Sequence, residues 1–190
     1  MATDTNNEQE ELLTVKKKTV SDNSQYKSNE YVTVSYDEFV GETLFVSNNL
    51  LKVKGKNNRK FDSFFCRILS EGNDDILFAL KIPQGLLPDE ISYESLYFKT
   101  GVTVYRTELV GTDAFDYKYA LFYKIDEDVL KSLCEAPYVR MQLREYKKNP
   151  QSLEFSNEEL QESARMFYNG AFKMGAYTIN KKTTPNKTKR

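Results

Sequence analysis

Histidine and tryptophan are both absent from the 190 residues, and cysteine occurs twice. Without histidine there is no Ser-His-Asp or Cys-His nucleophile system, no imidazole ligand for zinc or iron, and no simple charge switch near neutral pH. Cys66 and Cys134 each fall inside an apolar stretch rather than at a loop spacing suited to a disulfide framework or a zinc site, which predicts buried free thiols. The eight glycines are scattered, with neither G-x-G-x-x-G nor G-x-x-x-x-G-K-S/T, so the usual backbone cradles for nucleotide phosphates are missing. No run approaches the ~20 apolar residues that cross a bilayer, and residues 1–11 are polar and acidic, with no apolar core of a signal peptide. Together these absences predict a soluble, cytoplasmic protein with no membrane partner and no cofactor or resident metal.

Charge of one sign is lacking too. Lys plus Arg total 27 against 28 acids, a net charge of -1, so neither general attraction to nucleic acid nor an acidic solvating chain is expected, and any electrostatic partner must be local. With 39% hydrophobic and 29% charged residues the chain has material for one core, whereas two full domains would be cramped.

Aromatic residues are plentiful, 13 Tyr and 12 Phe, and the most ordered pattern runs from Tyr117 to Leu143. Tyr117, Tyr119, Leu121, Tyr123 and Ile125 alternate as one buried face of a strand. Asp126 suits an N-cap, and Glu127 and Asp128 put negative charge in the first turn of a helix whose apolar face carries Val129, Leu130 and Leu133. Pro137 stops it, and Tyr138, Val139, Met141 and Leu143 read as another strand.

Taken in order, residues 1–29 have the composition of a flexible arm, broken by a small apolar cluster at Leu12, Leu13 and Val15. Strands are expected at 31–36 and 43–46. Ser47-Asn48-Asn49 has turn chemistry, so 43–46 and 50–54 are expected to form a hairpin. Residues 55–60 form a basic loop. Residues 64–69 and 76–82 read as an antiparallel pair, apolar on both faces and therefore central. After a Pro- and Gly-broken loop at 83–88, strands are expected at 93–98 and 102–110, then a turn at Gly111-Thr112-Asp113.

Beyond Leu143 a basic connector leads to Ser156-Asn157-Glu158-Glu159, a capping box flanked by a Phe155/Leu160 staple. Leu160, Ala164, Phe167, Ala171 and Met174 continue as one helical stripe. Residues 177–190 form a basic tail. The resulting expectation is an α+β fold: a mainly antiparallel sheet of about nine strands, a short helix near 127–136 and a C-terminal amphipathic helix near 157–174, in a single domain over 30–176. The link from Asp126 to Pro137 is just long enough for one parallel crossover.

Three functional classes follow from this inventory. The acidic pairs Asp74/Asp75, Asp126/Asp128 and Glu158/Glu159 are explained by turns and caps, so a carboxylate-dependent enzyme would need acids converging from distant strands. Lys52, Lys54, Lys56, Arg59 and Lys60, beside Phe61, Phe64 and Phe65, are the candidate anion contact of a single-stranded nucleic-acid-binding protein. The expectation that fits most of the chain is a non-catalytic interaction or assembly module. Its candidate contacts to a protein partner, or to copies of itself, are Leu12, Leu13 and Val15 at one end and Lys181, Lys182, Lys187, Lys189 and Arg190 at the other. The Asn-, Lys- and Tyr-rich composition is of the kind AT-rich coding sequence yields, and within this class it points to a phage structural (virion) or accessory protein.

Overall fold

The structure, a computed structural model, describes residues 26–82, 93–115, 118–145, 148–172 and 176–179. Leu12, Leu13 and Val15, the 83–88 loop, Tyr117, Met174, and Lys181, Lys182, Lys187, Lys189 and Arg190 lie outside the described residues.

Ten strands form one sheet: β1 (Val32–Asp37), β2 (Glu42–Ser47), β3 (Leu51–Lys54), β4 (Lys60–Ser70), β5 (Asn73–Lys81), β6 (Tyr93–Thr100), β7 (Thr103–Phe115), β8 (Lys118–Ile125), β9 (Val139–Glu145) and β10 (Gln151–Leu153). Every pairing is antiparallel, in the order β1-β2-β4-β5-β8-β7-β6-β9-β10, with β3 also on β4. Alternation decides the two faces. Phe65, Phe78, Leu80, Leu96, Phe98, Leu121 and Tyr123 point inward into the main core. The sheet is strongly curled: β5 and β6 are three strand steps apart, about 14 Å on a flat sheet, yet the Phe78 and Phe98 rings meet edge-on at 5.3 Å.

Helices α1 (Glu127–Glu135) and α2 (Asn157–Ala171) fill the curl. Val129, Leu130 and Leu133 of α1, and Leu160, Ala164, Phe167 and Ala171 of α2, are buried as the helical spacing predicts. Ser156 caps α2 by accepting from the Glu159 backbone N–H at 3.3 Å. Asp126 occupies the N-cap position of α1, but its side chain makes no capping bond; its backbone carbonyl accepts from Leu130. At the other end of α1, α2 supplies the cap: Arg165 Nε donates to the Cys134 carbonyl at 2.7 Å and Gln161 Nε2 to the Ala136 carbonyl at 3.1 Å. No helix among the described residues is long and apolar enough to cross a membrane.

Four expectations are corrected. The tenth strand, β10, has no counterpart among the expected elements and meets the expected basic connector, 144–151, only at Gln151. Residues 43–46 and 51–54 are not a hairpin, because β2 and β3 lie end to end along the same side of β4. The reversal comes later, at Lys56–Arg59, where Asn57 and Asn58 adopt φ of 61° and 58° and Arg59 N–H reaches the Lys56 carbonyl at 3.3 Å, a type I′-like turn joining β3 to β4. Gly111-Thr112-Asp113 is inside β7, with a register shift between Leu109 and Gly111; the glycine marks a bulge rather than a turn. Finally, α1 carries the chain past β7 and β6 to β9, so it creates no parallel pair.

The curl closes at one end. Lys54 and Glu154 exchange reciprocal backbone hydrogen bonds of 2.8 Å, which joins β3 to the residue after β10. From beside this joint α2 runs to β1: near its start Asn157 accepts from the Val139 N–H of β9 at 2.5 Å, and near its end Gly170 lies against β1. Asn29 ties this second contact by donating from Nδ2 to the Gly170 carbonyl at 3.2 Å while its Oδ1 accepts from Tyr31 and Val32. A Cβ on Gly170 would fall 2.8 Å from Tyr31 Cβ and 3.0 Å from Val32 Cγ1. In a free helix Gly→Ala gains about 0.5–1 kcal/mol, but here the overlap is with atoms next to the backbone. Gly170→Ala is therefore expected to destabilise the fold by about 1–3 kcal/mol in urea unfolding; a raised midpoint would show that α2 does not seat this closely on β1.

Candidate functional site

The basic hairpin belongs to the seam. Lys52 and Lys54 point outward from β3, opposite Asp62 and Lys60 on β4, and Lys52 Nζ pairs with Asp62 at 2.6 Å. Lys54 supplies its backbone to the bridge with Glu154. The Lys56 N–H donates to Gln151 Oε1 at 2.9 Å, and Gln151 in turn bonds Glu145 through Nε2. Arg59, half-buried, lies 4.0 Å from the Glu145 carboxylate. Gly55 is where the two strands come closest, since a Cβ there would meet Phe61 Cε2 at 2.9 Å and Gln151 Oε1 at 3.0 Å. The five expected cations thus share one hairpin, interleaved with Asp62, Glu145 and Glu154. Phe61 and Phe65 are turned into the core, and Phe64 lies on the opposite face of β4.

A second feature, more apolar, is on the outer face of the sheet, where sequence reading placed nothing. Leu44 and Val46 of β2, Phe64, Cys66 and Ile68 of β4, Leu77 of β5 and Phe122 of β8 line a trough of about 450 Å³ that reaches Val110, Gly111 and Thr112 of β7. Its floor packs as a second apolar cluster, with Ala79 and Ala120 allowing close approach and Phe64 edge-on to Phe122 at 6.3 Å. The β7 bulge builds one wall, because the extra residue, Val110, is turned outward while Leu109 stays with the core. The signal was present in the sequence: 64–69 and 76–82 are apolar on both faces. A central position alone does not require that when helices cover only one face.

Polar chemistry in the trough is sparse. Asp75 stands at its edge, ion-paired with Lys124 and accepting from Asn73 Nδ2 at 2.7 Å. The hydrogen bond from Lys124, then that from Asn73, hold the Asp75 carboxyl below the usual carboxylate range, and the same pair raises Lys124. Burial pushes the Cys66 thiol up to about 12, so at neutral pH it is an apolar lining group rather than a nucleophile. Cys134, buried between the helices and the sheet, is likewise pushed up to about 12. Among the described residues no three His, Cys, Asp or Glu side chains are grouped to hold a metal ion. The trough is lined mainly by apolar side chains.

No protein-family model matches the sequence, and no curated protein matches it. Among solved structures, the crystal structure of invasion associated protein B from Bartonella henselae aligns over 73% of this chain and 94% of that one, at 10% identity and a TM-score of 0.38. A likeness that distant carries nothing about the site.

The Asp75 pairing has a pH consequence. Asp75, and Glu127, whose carboxyl is lowered by hydrogen bonds from Lys131 and Tyr168, bind protons more weakly folded than unfolded. Their contribution is complete above the ordinary carboxylate pKa of about 4 and is lost as pH falls through the lower folded values. Lys124→Met should return Asp75 toward the ordinary range and flatten that acid limb. Carboxyl-carbon NMR titration of Asp75 checks it, and an unchanged titration would mean the pair does not form in solution.

Proposed function

We propose that this chain is a non-catalytic protein-binding module, and that its docking surface is the outer trough, which takes a short extended apolar segment of a protein partner. One observation supports the reading above others. The outer face of an antiparallel sheet is normally solvated and polar, whereas here neighbouring outward positions on β2, β4, β5 and β8 are Leu, Val, Phe, Ile and Cys around a concavity of about 450 Å³. That volume falls within the range of concave binding sites. An extended segment with apolar residues at alternate positions, about 6.7 Å apart, presents one apolar side to such a trough.

The test uses methyl-labelled protein and extended heptapeptides carrying Leu or Val at alternate positions, with serine-substituted controls. The expected result is saturable shifts confined to the methyls of Leu44, Val46, Ile68 and Leu77, with affinity reduced about tenfold or more by Phe122→Asp, which leaves a charge where the partner's apolar side chain would sit. Shifts scattered over the surface, or none at millimolar peptide, would refute the reading.

A second reading, single-stranded nucleic acid at the hairpin, is supported by Lys54, Lys56 and Lys60, which are exposed and make no ion pair with a described residue. Three phosphate contacts imply a log-log salt slope of about -2 on single strands. Binding of a labelled oligonucleotide across 50–300 mM salt, roughly the range in which such contacts weaken, should give that slope and lose it on Lys54→Ala/Lys60→Ala. No binding at the low-salt end removes this reading.

A further inference from the structure

We infer that the outer face of the sheet carries one continuous path for a single-stranded nucleic acid, running across the seam from β6 and β9 to the basic hairpin. This rests on the nucleic-acid reading of the hairpin and extends it to side chains on the far side of the seam.

Register places the charges in a row. Lys99 of β6 lies opposite Arg140 of β9; Glu154, which follows Leu153, the partner of Met141, comes next; and Lys54 pairs in turn with Glu154 and with Lys60. These five side chains are exposed on the outer face, because their neighbours Phe98, Met141, Leu153, Val53 and Phe61 fill the core. The row crosses four strand steps, about 19 Å, and sets one acid among its cations. It is grooved rather than flat. Concavities of about 680, 390 and 480 Å³ meet at Glu154, the first lined by Lys60, the second by Arg140 and the third by Lys56.

Ring surface lies beside the row. Tyr97, half-buried, stands between Arg106 and Gln142, and Ser152 continues that second row toward Lys56. Tyr138 is 54% exposed; the Arg140 guanidinium lies 5.6 Å from the centre of its ring and donates from Nε to its hydroxyl at 3.1 Å. Arg106 is offset by Glu108 at 3.6 Å, whereas Lys99 and Arg144, the other outward cations here, make no ion pair with a described residue. Cations interleaved with rings suit a sugar-phosphate backbone with unstacked bases, since the charges follow the phosphates and the rings take the bases. An acidic peptide would use the cations and leave the rings without a role.

The experiment uses the full chain and a fluorescein-labelled oligothymidylate of about 12 nucleotides, a length within the site sizes of single-strand binders, with binding read by anisotropy as salt is raised. The hairpin alone would give a log-log slope of about -2; Lys99, Arg140 and Arg144 bring the contacts to about six and the expected slope to about -4. Lys99→Gln/Arg140→Gln/Arg144→Gln should return the slope to about -2 and lower affinity at low salt about tenfold or more. Glu154→Gln, which keeps the backbone bridge to Lys54, should raise affinity about threefold or more by removing a carboxylate from the path of the phosphates. A damaged fold does not produce such a rise. Unchanged slope and affinity in the triple variant, or no rise with Glu154→Gln, would remove the path and leave the hairpin reading standing; no binding by any of these proteins at low salt removes both. Competition by polyglutamate as effective as that by unlabelled oligothymidylate would assign the row to an acidic polypeptide and overturn the inference.

Discussion

A ten-stranded antiparallel sheet cannot stay flat and remain stable on its own, because one face needs covering and each edge presents unpaired backbone groups. Here both requirements are met by curling the sheet around two helices, and the curl holds only if its margins are joined. At one end the joint is made of backbone, the reciprocal Lys54–Glu154 pair, supported by Gln151 reaching the Lys56 N–H. From beside that joint α2 carries the closure on to β1, touching β9 through Asn157 and β1 through Gly170. The β1 edge is further occupied by its own preceding segment: Val34 N–H donates to Ser28 Oγ at 2.8 Å and Asn29 N–H to the Val32 carbonyl at 2.9 Å. The Ser28 side chain and the Asn29 backbone thus take the place that another strand would seek.

The burial of α2 depends on this arrangement. Phe167 stacks on Phe65 at 5.5 Å, and Phe65 in turn meets Phe78 at 5.1 Å, so the helix is held against the two central strands by a chain of rings. Arg67 finishes the helix from the sheet side. It donates to the Ala171 carbonyl at 2.6 Å, lies 4.0 Å from the centre of the Phe172 ring, and is neutralised by Asp74. A cation at a helix C-terminus opposes the negative end of the macrodipole, and its carboxylate partner makes the partial burial of the guanidinium tolerable.

Local order was legible wherever one residue type determines local geometry. The Ser156 cap, the α2 stripe, the alternation in 121–125 and the two buried cysteines follow from spacing alone. Pairing was less legible. Turn chemistry was read at Ser47-Asn48-Asn49 and only a basic loop at 55–60, although both are rich in residues that tolerate positive φ, and only the length of β4 shows that β2 and β3 share it. Gly111 likewise reads equally as turn or bulge until its partner, Phe122, is known. β10 was hidden by its brevity; three residues do not establish a period. The basic hairpin was legible as a charge cluster, but its place in the seam comes from Glu145, Gln151 and Glu154, about ninety residues away in sequence.

The trough follows from the same period-2 geometry that fills the core, and this makes the two separable. On β8, Leu121 and Tyr123 face inward and Phe122 outward; on β4, Phe65 faces inward and Phe64 and Cys66 outward. A change at an outward position leaves the inner rings in place, so the outer face can vary while the fold is retained. The reverse does not hold. Losing an inner ring would relax the curl that brings Phe78 to Phe98, and the wall that β7 contributes to the trough depends on that curl. An apolar outer face adds little to a core already closed by two helices, and it carries a standing cost in non-specific association. The docking proposed for the trough would use that surface for contact rather than for stability.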